Sequence, residues 1–445
     1  MTETPVEAEP DVKLDAEPDV RPDAEPDALA ALTQRGLVAL STDAQALGAA
    51  LRAGPLTFYC GFDPTAPSLH IGNLVQLLTM RRLQEAGHRP LILVGGATGL
   101  IGDPRMSGER VLNDRETVAA WVDRIGEQTG RFLDTAGANP ARVVNNLDWT
   151  RNLSAIDFLR DVGKHFRVNR MLAKEAVSAR LNSEAGISFT EFSYQILQGL
   201  DFLELYRRHG CTLQTGGSDQ WGNLTAGTDL VHRAEGVGVH ALATPLITKA
   251  DGGKFGKTET GTVWLDDTMT SPYAFYQFWL NAEDAKVVEY LKIFTFRPCE
   301  ELAELERATT QKPAARLGQR ALAQDVTELV HGTQAARRVV DASRALFGRG
   351  ELNDLDAGTL SDALAELPGT SVPRGDHGVV DLLASSGLVP SRSAARRTIA
   401  EGGAYVNNRK VTAEDQKVGV ADLVHDRWLV LRRGRKSLAA VCLEG

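Results

Sequence analysis

Two short strings carry residue types suited to phosphate chemistry. Pro64-Thr65-Ala66-Pro67-Ser68-Leu69-His70-Ile71-Gly72-Asn73 joins an apolar run, LTFYCGF (Leu56 to Phe62), to a segment with helical apolar spacing that begins at Ile71. Amides at such a helix start face outward and attract anions, a histidine can hydrogen-bond a phosphate oxygen, and a glycine admits a flat ring close to the backbone. Read alone, the string fits a capped helix start with a surface histidine as well. Further on, Lys254-Phe255-Gly256-Lys257-Thr258 sits inside KADGGKFGKTETGT. A P-loop would need glycine at position 251, where Asp251 stands, and a hydrophobic helix after Thr258, which the sequence lacks. What remains is a glycine loop with two lysines three apart, suited to gripping a polyphosphate. A solvated basic loop has the same pattern.

Three polar strings stand out beside these: Gly95 to Gly99 with Asp103, Phe192 to Asp201, and Gly216 to Asn223. In the second, Tyr194, Gln198 and Asp201 are spaced by four and three, so a helix places them on one face. Among Phe192, Ile196, Leu197, Leu200 and Phe202 such a stripe is either the solvated side or the wall of a pocket for a small polar molecule.

The surrounding pattern supplies elements to hold them. The run Leu56 to Phe62 reads as a buried strand, Ile71 to Gly87 as a helix with a glycine stop, and Leu91 to Val94 as a second buried strand. Strand, helix and strand in this order predict a parallel βαβ unit opening a doubly wound α/β sheet. Helical spacing is read over Arg115 to Asp134, Ala155 to Arg208, Ser271 to Thr310 and Ala314 to Phe347, and HALATPLITKADGG as a strand feeding a glycine loop. Leu367 to Gly378, rich in Gly and Pro, reads as a linker.

The chain has 445 residues and a net charge of −9. Ten acids against two bases in the first 27 residues contribute −8, and these residues repeat EAEPDVKL, DAEPDVRP and DAEPDALA. Such a tail buries too little apolar surface to offset chain entropy and reads as disordered. Residues 374 to 445 carry +4, which leaves −5 on residues 28 to 373. Whole-chain acidity therefore excludes no nucleic-acid partner. An apolar fraction of 43% is enough for real cores, no apolar run is long enough for a membrane span, and the acidic start is no secretory signal. Cys60, Cys211, Cys299 and Cys442 have neither CxxC nor metal-finger spacing, so a reduced, cytoplasmic setting and no protein metal site are expected.

Read together and in order, LTFYCGFDPTAPSLHIGN, LVGGATGLIGDP, FLRDVGKHFRVNRMLAKE, GISFTEFSYQILQGLDFL, GGSDQWGNLTAG and KFGKTETGTVWLD resemble the tyrosyl-tRNA synthetases of bacteria, class I aminoacyl-tRNA synthetases. The resemblance runs from about Leu29 to the C-terminus. It implies a Rossmann-like sheet with a helical insertion, an α-helical domain and a C-terminal RNA-binding module. It implies ATP and L-tyrosine as substrates, Mg²⁺ with the ATP, tRNA(Tyr) as acceptor, and a homodimer joined within the helical region near residues 130 to 190. Pro64 to Asn73 resembles the HIGH motif and Lys254 to Thr258 the KMSKS motif. The implied catalytic residues are Thr65, His70, Lys254 and Lys257. The implied tyrosine contacts are Tyr59 and Asp201 at the phenol, Asp103, Tyr194 and Gln198 at the ammonium group, and Gln220 near the carboxylate. ATP contacts are implied at Cys60, Gly61, Asp63, Gly72, Asn73, Asp219, Lys254, Lys257 and Thr258. Two strings depart from the family pattern: Asn73 replaces the second histidine of HIGH, and GDPRMSGER replaces a lysine-bearing GDPSGK-like loop, leaving Arg105 and Arg110 as candidates there.

SSGLVPSRSAARRTIAEGGAYVNNRKV is similar to the S4 RNA-binding module. Arg392, Arg396 and Arg397 then fall on a short helix, with Arg409 and Lys410 after an Asn-Asn turn, a grouping suited to RNA phosphates. The expected division is a tail to residue 27, a catalytic domain over 28–250, the lysine loop and helical domain over 251–348, a linker region over 349–378 and the RNA-binding domain over 379–445. A non-catalytic RNA-binding paralogue is the alternative, which retention of His70, Lys254 and Lys257 disfavours.

Overall fold

The computed structural model of the chain describes residues 27–104, 108, 111–184, 186–253, 255–258, 261–434 and 437–444. The repeats of the acidic tail, Arg105, Arg110 and Lys254 lie outside the described residues, and for Lys257 and Thr258 the description is of the backbone.

Uninterrupted apolar runs suit strands covered on both faces, and they build the centre of a six-stranded sheet. Its strands are β1 (Leu40–Ser41), β2 (Thr57–Phe62), β3 (Arg89–Val94), β4 (Arg142–Asn145), β5 (Cys211–Gly217) and β6 (His240–Thr244), in the order β1-β6-β5-β2-β3-β4. All neighbours are parallel except β1, which pairs antiparallel with β6 at the edge. The chain leaves β2 toward β3 and β4, then returns on the other side of β2 as β5. Order therefore reverses between β2 and β5, where an open α/β sheet leaves a crevice at the carboxyl ends of its strands.

Alternation along β2 divides its side chains between two cores. Phe58, Cys60 and Phe62 join the main cluster, with Leu74, Leu77 and Leu78 of the helix Ile71–Glu85. Tyr59 joins a second cluster with Leu200, Phe202 and Leu203 of the helix Phe189–His209. The doubly wound expectation holds, but the expected helical stretch over Ala155 to Arg208 is broken. It forms short turns and helices, of which Val168–Leu172 and Glu175–Leu181 are the longest α-helical pieces, before the helix Phe189–His209. Gly186, with φ 64, and the cap Ser188 separate that helix from what precedes it. The strand expected to run on from HALAT stops at Thr244, ahead of Pro245.

Five α-helices follow the sheet: Pro272–Leu280, Val287–Phe294, Cys299–Gln311, Leu317–His331 and Thr333–Leu346. The linker expected over 349–378 is overturned. It contains the helix Ala357–Ala365, whose Leu360, Ala363 and Leu364 are buried in the main core. It also contains β9 (Gly369–Pro373). The C-terminal sheet is completed by β11 (Ala404–Val406), β12 (Arg409–Lys410), β14 (Trp428–Arg433) and β15 (Ser437–Glu444), in the order β12-β11-β14-β15-β9, beside a small pair of β10 (His377–Gly378) and β13 (Lys417–Val418). Gly and Pro misled because each suits this edge strand. A Cβ on Gly369 would stand 2.5 Å from the Ala440 carbonyl oxygen, and Pro373 ends a strand with one side unpaired. Among the described residues no helix is long and apolar enough to cross a membrane.

Candidate active site

The helix Phe189–His209 starts where the Ser188 hydroxyl accepts from Glu191 N, and ends at Gly210 in the left-handed region. Its Tyr194-Gln198-Asp201 face turns inward to the sheet. Asp201 is 2% exposed and accepts from Asn146 Nδ2 at 3.0 Å and Trp149 Nε1 at 2.9 Å. Burial pushes its pKa up to about 7, against the two hydrogen bonds, which favour the carboxylate. Tyr59 packs edge-on against Phe202, with centroids 5.3 Å apart. Its hydroxyl is buried with no hydrogen-bond partner among the described residues, and the same is true of Gln198 Oε1. Burial first, and the Asp201 charge second, raise the Tyr59 pKa, so the hydroxyl stays protonated. A buried polar group left alone costs about 1–3 kcal/mol, and a ligand hydroxyl would remove that cost.

Around this pocket run contacts that single residues did not announce. Asp63 accepts from Tyr194 Oη at 2.7 Å and Thr98 Oγ1 at 2.6 Å, and Asn146 Nδ2 reaches Thr98 Oγ1 at 2.9 Å. Asp63, expected beside ATP, thus holds Tyr194 in place. Asn146 and Trp149 lie in NNLDWT just after β4 and were missed by sequence reading; the cue available was a tryptophan, an aromatic with one donor, at a strand's carboxyl end. Cys60 stays apart from the Tyr59 pocket, on the other face of β2, with its thiol 3.9 Å from Gln76 Oε1 and its pKa pushed up to about 12 by burial.

Asp103 and Gln220 meet in a second cluster. Gln220 Nε2 donates to Asp103 Oδ2 at 3.2 Å, and Asn223 Nδ2 to Asp103 Oδ1 at 3.3 Å and Gln220 Oε1 at 2.8 Å. Asp219, exposed, lies in the turn Ser218–Gln220 that follows β5. Lys174, from MLAKE, donates to Asn223 Oδ1; Asn223 ends the third polar string, whereas Lys174 was given no role from sequence.

At the start of the helix Ile71–Glu85 the expected cap is present, and half-buried His70 itself forms it. Its Nδ1 accepts from Gly72 N at 3.0 Å, and Asn73 Oδ1 accepts from His70 N at 3.1 Å. Asn73 therefore does the work of a cap residue, which accounts for an amide at this position. Thr65, Gly61 and Gly72 are exposed at the end of β2 and the start of the helix. The lysine segment is hydrogen-bonded to this turn. Its β7 (Lys257–Thr258) pairs with β8 (Gly261–Thr262), Val263 N donates to Gly256 O at 3.0 Å, Ile71 N to Val263 O at 3.2 Å and Leu265 N to Leu69 O at 2.9 Å. Gly256, at φ 85, is required there, since a Cβ would lie 2.8 Å from Ile71 Cγ1.

In the C-terminal part Arg392, Arg396, Arg397, Arg409 and Lys410 are all exposed. Arg392 pairs with Asp381 at 2.6 Å and Arg396 with Glu414 at 3.6 Å. Asn407 and Asn408, at φ 46 and 64, form the left-handed two-residue turn ahead of Arg409.

A pocket with an unanswered hydroxyl, an acid and amide cluster, and a lysine segment tied to a histidine turn share one end of the sheet. Comparison with known proteins gives the family. The family model for class I tRNA synthetases of tryptophan and tyrosine matches residues 51–348, and that for the tyrosine–tRNA ligase SYY-like C-terminal domain matches 359–441. A tyrosine–tRNA ligase of Streptomyces avermitilis is 68% identical over 415 residues, covering 93% of this chain and 98% of that protein. A C-terminally truncated mitochondrial tyrosyl-tRNA synthetase from Coccidioides posadasii superposes with a TM-score of 0.63 at 32% identity, covering 71% of this chain and 91% of that one. Its Aspergillus nidulans counterpart gives 0.66 at 29%, covering 73% and 95%. With both halves matched, at this identity and over nearly the whole length of the relative, the chain belongs to the tyrosine–tRNA ligases, within the class I tRNA synthetases.

Proposed function

We propose that the chain activates L-tyrosine with ATP to tyrosyl-adenylate and pyrophosphate, then transfers the tyrosyl group to the 3′-terminal ribose of tRNA(Tyr), in the cytoplasm and as a homodimer. The observation that carries the reading is the buried Tyr59 hydroxyl without a partner, in the same apolar cluster as the helix bearing Asp201. A substrate phenol answers both groups; phenylalanine answers neither, and leaves them unpaired.

In the first step the tyrosine carboxylate attacks the α-phosphorus and pyrophosphate leaves, so no covalent enzyme group is needed. The protein positions the reactants and stabilises charge. Tyr59 and Asp201 orient the phenol; Asp103, Tyr194 and Gln198 take the ammonium group; Gln220 lies near the carboxylate. Cys60, Gly61, Asp63, Gly72, Asn73 and Asp219 frame the nucleotide, and Thr65, His70, Lys254 and Lys257, with Thr258 beside them, face the departing phosphates. Among the described residues no group of three or more His, Cys, Asp or Glu side chains could hold a metal ion. Mg²⁺ would come with the ATP, held by its phosphates, and would supply positive charge that offsets theirs.

The test is tyrosine-dependent exchange of pyrophosphate into ATP, run beside phenylalanine and tryptophan. Exchange driven equally well by either of the other two would overturn the assignment of the phenol pocket.

Exposed apolar side chains support the dimer: Ile156, Leu159, Val168, Leu181 and Phe189, the last 72% exposed, fall within 35 residues. Light scattering checks it, and a monomer at micromolar concentration would remove the second copy. For tRNA contact we place Arg397 and Arg409 on RNA phosphates. Arg397→Glu with Arg409→Glu is expected to leave pyrophosphate exchange alone while raising the tRNA KM about 10-fold or more and flattening its salt dependence by about one unit of slope per lost phosphate contact. Unchanged charging at physiological salt would refute that surface.

A further inference from the structure

A relay of side chains links a lysine to the carboxylates of the second cluster. Lys174 gives its ammonium to Asn223 Oδ1. Asn223 gives Nδ2 to Gln220 Oε1 at 2.8 Å and to Asp103 Oδ1 at 3.3 Å. Gln220 in turn gives Nε2 to Asp103 Oδ2 at 3.2 Å and to Asp219 Oδ2 at 3.5 Å. An ammonium only donates and a carboxylate only accepts. The two ends therefore fix both amides, oxygen toward Lys174 and nitrogen toward the acids. Flipping either amide sets donor against donor at one end and acceptor against acceptor at the other. The lysine stem crosses the helix start at Gly222, where a Cβ would stand 3.1 Å from Lys174 Cε, so glycine gives it room. Asn223 is itself 6% exposed, which denies water as a substitute partner.

We propose that Lys174 is a positioning residue for adenylate formation: its charge sets the direction of the Asn223 and Gln220 amides, so that the reacting carboxylate meets Gln220 Nε2, displacing its long contact with Asp219, and not a carbonyl oxygen. The inference rests on the reading above that places the tyrosine carboxylate beside Gln220. Without the ammonium, Asn223 and Gln220 lose the constraint on their oxygens. A flipped Gln220 then turns a carbonyl toward an incoming anion, in a cluster that already holds Asp103 and Asp219.

The role depends on charge and hence on pH. Asp103 faces Lys174 from the loop after β3; His165, Arg167 and Arg170 from the segment before it; Asp229 and Arg233 from the helix Trp221–Glu235 across a cavity of about 230 Å³. Asp229 is engaged by Arg170 at 3.1 Å and Arg233 at 3.5 Å, which leaves Asp103 as the acid that acts on Lys174. Burial lowers the Lys174 pKa to about 8, with Asp103 opposing the shift. The ammonium is lost as pH rises through that value, and the relay weakens on the alkaline side.

Pyrophosphate exchange at saturating ATP and tyrosine, from pH 6 to pH 10, tests this on the wild type, Lys174→Met, Lys174→Arg and Asn223→Asp. In Lys174→Met the expected kcat at pH 7 falls about 10- to 100-fold, the worth of one charge-assisted hydrogen bond, with the tyrosine KM within about threefold. The alkaline limb near pH 8 disappears with it. Lys174→Arg, charged throughout this range, recovers most of kcat and lacks the limb. Asn223→Asp keeps an acceptor for Lys174 but puts an oxygen where Nδ2 stood; its kcat falls as in Lys174→Met, while thermal unfolding shows that it still folds. The proposal is overturned if Lys174→Met keeps wild-type exchange and its pH profile while losing only tRNA charging. It is overturned too if Lys174→Arg is as slow as Lys174→Met, which would mark a packing role. A wild type with no tyrosine-dependent exchange would instead sink the site reading on which the relay stands.

Discussion

Asp201→Asn is expected to lower kcat/KM for tyrosine by about 10²- to 10⁴-fold, a loss of roughly 3–5 kcal/mol from two charge-assisted hydrogen bonds in a buried site. Asn146 Nδ2 and Trp149 Nε1 address both carboxylate oxygens. An asparagine offers one oxygen and one NH₂, so one of these donors must face another donor where no water reaches. The substrate phenol also loses its charged acceptor. Phenylalanine lacks that hydroxyl and should lose much less, so the preference for tyrosine shrinks by about 10²-fold. Steady-state exchange with both amino acids measures it. An equal fall for the two would mean that Asp201 holds only the fold.

The same residue gives tyrosine binding a pH dependence whose sign follows from its environment. Burial raises the Asp201 pKa to about 7, and its hydrogen bonds only moderate that. A carboxylate is needed to accept from the phenol, so proton release accompanies binding. The tyrosine KM is expected to rise as pH falls below about 7, by up to about 10-fold per unit, and to level off above it. Stability runs the other way. Between the ordinary carboxylate range and about pH 7 the folded chain holds a proton that the unfolded chain has released, so this group's contribution falls as pH rises through that window.

Legibility in the sequence differed from site to site for physical reasons. The Tyr194, Gln198 and Asp201 face could be read because helical spacing is a local property, and the inward turn of a polar face among Ile196, Leu200 and Phe202 was one of two readings that spacing allowed. A capped helix start could be read at His70 for the same reason, though the part Asn73 plays in it was not. Asn146 and Trp149 could not, because they reach Asp201 across 52 residues or more, through a β4 position that only the sheet order creates. Lys174 lies 49 residues before Asn223, so the relay belongs to packing and not to any pattern. The folded segment over 349–378 was hidden by its Gly and Pro. Those residues punctuate loops most often, and here they sit on an edge strand completed by the last residues of the chain.

Lys257→Ala is expected to slow pyrophosphate exchange about 10²- to 10³-fold, with the tyrosine KM changed by less than about twofold. The backbone carries the argument. Phe255 anchors the segment among Phe278, Trp279, Tyr290 and Phe294, with the Tyr290 ring centroid 4.7 Å away. On its far side Gly256 O accepts from Val263 N, and Val263 and Leu265 hydrogen-bond along Leu69 to Ile71, where His70 and Trp264 face each other antiparallel. Lys257 is thereby held on a two-stranded hairpin whose partner strand runs on into Val263 to Leu265, hydrogen-bonded beside the His70 turn. On the proposed reading a cation there would stabilise charge that develops on the leaving pyrophosphate, and would contribute little to the binding of tyrosine. Pre-steady-state adenylate formation separates the two effects. A variant that bound tyrosine more weakly yet formed adenylate at the wild-type rate would move Lys257 out of the transition state and into the amino-acid pocket.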